Sequence, residues 1–206
     1  MTINTIIIDI ETLDTKPTAI ILSIGAFAFD RFNLNETLEK IEMVEISGCY
    51  SDHHLYLSCD LPDQLFYSNR TISNETLEWW RSQVDKKIAS PAPGHSHLEE
   101  ALKKLISKIN EWKKINFDIA FYFRGTNFDP IILENAFNEY SLQTPWLYYQ
   151  VRDVRTYIDA LTRTAKGKIE NYTSSFNFLK HNALHDAMRD AEQMCATTDQ
   201  TLTKHR

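Results

Sequence analysis

Asp9 and Glu11 stand two residues apart inside the apolar run Ile6-Ile7-Ile8-Asp9-Ile10-Glu11-Thr12. The run is short and rich in β-branched residues, which predicts a buried strand. Side chains alternate across a strand, so both carboxylates project from the same face. Two bare carboxylates side by side against a core repel one another and lose their hydration, a cost that a cation between them removes. The pair is therefore a metal-site candidate that needs further ligands from elsewhere in the chain. Two other stretches offer them. In Tyr122-Phe123-Arg124-Gly125-Thr126-Asn127-Phe128-Asp129 an apolar strand ends in a glycine turn and an aspartate at a helix start. Ligands commonly bind at such carboxyl ends of strands, although Asp129 followed by Pro130 equally describes an ordinary helix N-terminus. In His181-Asn-Ala-Leu-His185-Asp186-Ala-Met-Arg189-Asp190-Ala191, a helix would put Asp186 and Asp190 on one face, with Ala187 and Ala191 allowing close packing on the neighbouring stripe.

The elements that must carry these groups follow from periodicity. A strand over about Thr5 to Ile10 is followed by a turn (Leu13 to Pro17) and a longer strand over about Ala19 to Asp30, close enough for an antiparallel hairpin. A third strand falls either within Lys40 to Ser47 or within His53 to Cys59. Thr71 to Lys87 reads as a helix with Ser73 as N-cap and Leu77, Trp80 and Val84 on one face. Ala89 to His97, with Pro91, Pro93 and Gly94, is the clearest loop, and Leu98 to Trp112 is amphipathic at helical spacing. The second half alternates: strand Phe117 to Phe123, helix Pro130 to Tyr140, strand Leu147 to Val151, helix Val154 to Thr164, polar loop Ala165 to Ser175 and a C-terminal helix Ala183 to Leu202. A hairpin followed by β-α-β-α order predicts an α/β fold with a mixed central sheet flanked by helices.

At 206 residues and 43% hydrophobic content the chain suits a single domain over residues 1–206. No run reaches membrane-helix length, and the N-terminus lacks the pattern of a signal peptide. Cys49, Cys59 and Cys195 are too few and scattered for a disulfide frame or zinc site, so a cytoplasmic setting is expected. A net charge of −6 argues against coating duplex nucleic acid but not against gripping a strand end. Arg124, Arg152, Arg155, Arg163, Lys166, Lys168 and Lys180 are the local cations available for that, against an ordinary role as solvated surface charges.

The order Asp-x-Glu, Phe-Asp, His-x-x-x-x-Asp-Ala resembles the DEDDh exonucleases of the ribonuclease H-like superfamily. It is most similar to their exonuclease VIII and phage or bacterial 3′–5′ exoribonuclease-like branch. Asp9-Ile-Glu-Thr-Leu13 running to Leu22-Ser-Ile-Gly-Ala26, Ile72-Ser-Asn-Glu-Thr-Leu-Glu-Trp-Trp80 and Val151-Arg-Asp-Val-Arg-Thr156 also carry the likeness, which spans about residues 5–192. It implies a ribonuclease H-like mixed sheet of about five strands, one of them antiparallel. It further implies Asp9, Glu11, Asp129 and Asp186 as ligands of two divalent cations, Mg²⁺ or Mn²⁺, with His181, rather than His185, as general base. Thr12, Leu13, Asn127, Phe128 and Arg124 become the substrate contacts, and Asp190 a supporting residue.

The implied activity is a 3′–5′ exonuclease that releases nucleoside 5′-monophosphates from single-stranded RNA or DNA, with no membrane partner; related enzymes also admit a homodimer. The competing readings are a catalytically silent module of the same fold and an endonuclease. Two positions depart from the pattern. Asp14 stands where glycine is usual and brings an extra charge near the expected nucleotide path. Tyr122 replaces a common tryptophan. Of the adjacent Trp79 and Trp80, core packing is expected for Trp80, while Trp79 is the one that could reach substrate.

Overall fold

The strand that carries Asp9 and Glu11 lies at the centre of the sheet. The computed structural model describes residues 2–47, 52–66, 68–83, 96–116 and 118–204. Its strands are β1 (Thr5–Thr12), β2 (Ile21–Phe29), β3 (His54–Ser58), β4 (Ala120–Phe123) and β5 (Val151–Asp153). Its helices are α1 (Leu34–Ser47), α2 (Leu61–Phe66), α3 (Asn74–Gln83), α4 (Leu98–Lys113), α5 (Asp129–Glu139), α6 (Val154–Thr162) and α7 (Ala183–Lys204). The strand order is β3-β2-β1-β4-β5. β1 and β2 form the expected antiparallel hairpin, β2 and β3 pair antiparallel, and β4 and β5 continue parallel to β1. The sheet is thus mixed, with β2 the one reversed strand.

Alternation along β1 sorts its residues between two cores. Ile6, Ile8 and Ile10 pack with Leu102, Leu105, Ile109 and Trp112 of α4 and with Leu133 and Phe137 of α5. Ile7 faces the other way, onto α6 and α7, where it meets Val154, Ile158, Leu184, Ala187 and Met188. Each of these large side chains is essentially sealed from solvent, and each such burial contributes about 1.5–3 kcal/mol before the entropy of ordering is counted. Asp9 and Glu11 follow Ile7 on the α7 side. Ala183, Ala187 and Ala191 are all fully buried, so the α7 stripe that faces the sheet is made of methyl groups and the helix rides close to β1 and β2.

Two expected elements differ. Lys40 to Ser47 is the second half of α1, and the third strand is the alternative segment, His54–Ser58. The helix starts because Asn33 caps it: its side chain accepts from the Glu36 amide and donates to the Glu36 carboxylate, a reciprocal cap. Leu147 to Val151 is not a strand; a 3-10 turn spans Tyr148–Gln150 and the strand starts at Val151. Gln150 folds back to accept from the Leu147 amide and donate to the Ile119 carbonyl, which uses the groups an extended chain would have offered. The Thr71–Lys87 helix begins at Asn74 behind Ser73, whose Oγ accepts from the Thr76 amide, and its expected last turn lies outside the described residues. So does most of the Ala89–His97 loop. Among the described residues no helix is long and apolar enough to cross a membrane.

Candidate active site

Four elements converge on the face of β1 that carries Asp9 and Glu11. In the hairpin Asp9 stands opposite Gly25 and Glu11 opposite Ser23. Asp129 opens α5, the next element after β4, is buried, and accepts the Ile10 amide at 3.3 Å. That bond crosses from α5 to β1 and sets the third carboxylate beside the first two. Asp186 lies in the first turn of α7. The turn is started by Asn182, whose side-chain oxygen accepts from the amides of Leu184 and His185, as an N-cap does. Asp186 accepts from the His181 amide at 3.2 Å and from the Arg189 guanidinium at 2.6 Å. Glu11, His181 and Asp186 offer ligand atoms that all lie within 4.8 Å of one another.

The crowding appears in the protonation of the group. Burial, then the charges of Asp129, Glu11 and Asp186, pushes the Asp9 carboxyl well above its usual range. Burial followed by Asp186 and Asp129 raises Glu11 from 4.5 to about 8, against the partial relief of Arg189. Asp129 and Asp186 are raised as well, in each case by burial first. Four mutually destabilised hard-oxygen donors with an imidazole at their edge fit a divalent cation such as Mg²⁺ or Mn²⁺ better than zinc.

This electrostatics has a sign. A carboxyl whose folded pKa exceeds its unfolded value contributes stability below the unfolded pKa and loses it as pH rises through the folded one. Metal-free protein is therefore expected to melt at progressively lower temperature as pH rises from about 4.5 to about 8, the window of Glu11. Divalent cation should flatten that slope, because ligation requires the deprotonated form. Thermal melts across this pH range with and without Mn²⁺ check it; an apo protein that gains stability with pH would refute the crowding.

His181 sits in the left-handed region, φ 57°, just before the Asn182 cap. Its ring packs edge to face with Trp79, centroids 4.7 Å apart, and lies 6.0 Å from Trp80. Burial lowers its pKa, Asp186 opposes this, and Arg189 and Lys180 add to it. At neutral pH the ring is thus uncharged and able to accept a proton. His185 is turned elsewhere: its Nδ1 accepts the Leu179 amide and its Nε2 lies 3.7 Å from Glu45.

Beside the carboxylates opens a cleft of about 360 Å³ lined by Glu11, Thr12, Asp14, Trp79, Trp80 and Phe128 among others. The expected substrate contacts lie at or beneath this cleft with the following partners in the protein. Leu13 is buried with Ile20, Leu22 and Trp80, its amide donates to Ile20 and its carbonyl accepts from Ser73. It is a packing residue under the cleft. Thr12 is buried, its hydroxyl donating to the Asp14 carbonyl, and its own carbonyl receives the Trp80 indole N–H at 3.0 Å. Asn127 is exposed on the turn before α5 and Phe128 is half-buried at the cleft wall.

Arg124 is engaged within the protein. Its Nε donates to both oxygens of Asp190 (2.8 and 3.0 Å) and its Nη1 to the Gly167 carbonyl. Asp190 is almost fully buried, so the pair ties the end of β4 to the second turn of α7. Asp14, whose charge near the nucleotide path looked anomalous, is buried and accepts the Thr15 amide at 2.7 Å. Burial alone would raise its pKa, but hydrogen bonds from the Thr71 hydroxyl and the Thr15 amide outweigh it and keep the carboxylate ionised. It holds its own loop. The features that sequence reasoning missed are Gly25, the Asp190–Arg124 tie and the Trp79–His181 contact; each depends on where α3 and α7 dock.

Residues 4–198 match the family model described as the 3′-5′ exoribonuclease Rv2179c-like domain, and nothing in the likenesses singles out exonuclease VIII. The nuclease domain of 3′hExo, a DEDDh family member solved bound to rAMP, superimposes with a TM-score of 0.56 at 13% identity, covering 97% of this chain and 92% of that one. The RNase domain of the yeast Pop2 protein gives 0.50 at 11% identity, covering 98% and 77%. At these identities the two structures establish the ribonuclease H-like fold. The curated proteins returned no match.

Proposed function

Because the chain belongs to the Rv2179c-like family of 3′–5′ exoribonucleases, we propose that it trims single-stranded RNA from the 3′ end. Asp9, Glu11, Asp129 and Asp186 hold two divalent cations, Mg²⁺ or Mn²⁺, and His181 is the general base. The observation that supports this most directly is the convergence of Glu11, Asp186 and His181 within 4.8 Å on a face where Asp9 and Asp129 share the same electrostatic strain. Cations bound there would stabilise charge on the attacking and leaving oxygens.

The residues of the chain do the rest. His181, uncharged at neutral pH, takes the proton from the attacking water. The water oxygen bonds to phosphorus as the bond to the 3′ oxygen of the penultimate nucleotide breaks, and that oxygen takes a proton from solvent to become the new 3′-hydroxyl. The products are a nucleoside 5′-monophosphate and a strand one residue shorter. Phe128 and the cleft wall seat the terminal nucleotide, and Arg124 with Asp190 holds α7 at the distance the chemistry needs.

Purified protein with Mn²⁺ or Mg²⁺ should shorten a 5′-labelled oligoribonucleotide one nucleotide at a time and leave a circular single strand intact. His181→Ala should lower the rate by about 10²–10⁴, the usual worth of a positioned proton acceptor. A matched DNA oligonucleotide in the same assay tests the RNA preference, and equal degradation of both would remove it. Cutting of the circle would make the protein an endonuclease. Failure to bind Mn²⁺ in calorimetry, together with no cleavage, would make it a silent module.

A further inference from the structure

The imidazole of His181 is gripped by an aromatic pair that the proposed chemistry does not use. Trp79 and Trp80 are consecutive on α3 and meet nearly perpendicular, centroids 5.0 Å apart. Trp80 is buried and pinned through its indole N–H to the Thr12 carbonyl, one residue beyond Glu11. Trp79 is 41% exposed. One side of it packs against Trp80, another against the His181 ring at 4.7 Å and 89°, and it also lines the cleft together with Phe128. His181 itself comes from a chain turn with positive φ just outside α7. A short side chain on such a turn has three staggered χ1 wells to choose from, and only a neighbouring surface selects one.

We propose that Trp79 is a positioning residue for His181. Its indole, braced by Trp80 against β1, fixes the imidazole rotamer beside Glu11 and Asp186. The same indole forms one wall of the cleft, so seating of an unpaired base against Trp79 and clamping of His181 are one packing event. This rests on the reading of His181 as general base.

A misplacement of about 1 Å in a reacting group can cost roughly 10²-fold. Trp79→Ala is therefore expected to lower kcat on a 3′-terminal oligoribonucleotide by about 10- to 100-fold. Phe128→Ala, which loses only a cleft wall, should act mainly on KM. Trp79→Phe should restore most of kcat because a flat ring remains, and Trp79→Leu, which keeps apolar bulk without a ring, should not. Calorimetric Mn²⁺ affinity should be unchanged in all three Trp79 variants. In NMR spectra the three-bond Hα–Hβ couplings of His181, assigned by their loss in His181→Ala, should report one fixed χ1 in the wild type and in Trp79→Phe and rotamer averaging in Trp79→Ala. An unchanged kcat with raised KM in Trp79→Ala would reduce the indole to a stacking wall and overturn the proposal. So would equal kcat in the Phe and Leu variants, or a single fixed χ1 for His181 in Trp79→Ala. If the wild-type protein cleaves no RNA, the function reading fails, and the His181 couplings still decide whether Trp79 holds His181.

Discussion

Asp186→Asn is expected to reduce 3′-end cleavage by at least about 10³-fold, while the metal-free protein becomes no less stable at pH 8 than the unsubstituted one. The activity side follows from charge. A ligand carboxylate lost from a cation site forfeits several kcal/mol of transition-state stabilisation, and about 4 kcal/mol corresponds to 10³ in rate. The stability side follows from the cost of assembling the site. After burial, Asp186 is the strongest influence raising Glu11, and it also raises Asp9. Removing its charge relieves both neighbours at a pH where they would otherwise be forced to ionise together. The carboxylate serves two donors with separate oxygens, Oδ2 for the His181 amide and Oδ1 for Arg189; the single oxygen of asparagine keeps the His181 amide, and the partly exposed Arg189 retains Asp190 at 3.5 Å, so no buried donor is stranded. A site that gains stability when its function is removed is one strained for that function. Single-turnover cleavage and paired melts at pH 8, each with and without Mn²⁺, check both halves. A variant that melts lower without metal and still responds to Mn²⁺ like the parent would show that Asp186 is not a ligand.

The first two carboxylates were legible because strand alternation is local: once Ile6 to Thr12 is a strand, Asp9 and Glu11 must share a face. Asp129 and Asp186 were legible only through motif order, since helix-start aspartates are common and nothing local ties them to β1. What remained hidden was governed by packing between distant segments. The Asp190–Arg124 pair joins residues 66 apart in sequence, and periodicity shows Asp190 beside Asp186 but not the arginine that neutralises it. Leu13 follows the same logic, because its burial depends on Trp80 arriving from α3. The open choice between Lys40–Ser47 and His53–Cys59 for the third strand is different in kind. Asn33-Leu-Asn-Glu36 is a capping signature visible in the sequence, and it marks the residues after it as helix, which leaves His53–Cys59 for the strand.

Gly25→Ala is expected to lower cleavage by about 10²-fold, although Gly25 bears no functional group and lies across the hairpin from Asp9. Its place in the apolar run of β2 looks like an interruption; the docking of α7 explains it. A Cβ on Gly25 would stand 2.2 Å from the Ala183 carbonyl carbon and the Leu184 nitrogen and 2.4 Å from the Ala183 oxygen. These are backbone atoms of the first turn of α7, so no rotamer change relieves the clash and the helix must rise. With it would go the Asn182 cap, His181 and Asp186, moved away from Asp9 and Glu11, which stay on the sheet. Displacement of reacting groups by about 1 Å costs about 10² in rate, and overpacking of this kind costs about 1–3 kcal/mol in stability. Ala26→Gly separates the two effects. Ala26 is the next residue on β2, fully buried on the opposite face of the sheet with the α4 and α5 core. Removing its methyl group destabilises the strand by roughly 0.5–1 kcal/mol without touching α7. Cleavage rate, Mn²⁺ affinity and melting temperature measured on both variants should diverge: the Ala26 variant loses stability and keeps rate and affinity, and the Gly25 variant loses all three. Equal loss of rate in both would mean that the site responds to general loosening of β2. Loss in the Gly25 variant alone would mean that one missing methyl group sets the distance between the two halves of the carboxylate cluster.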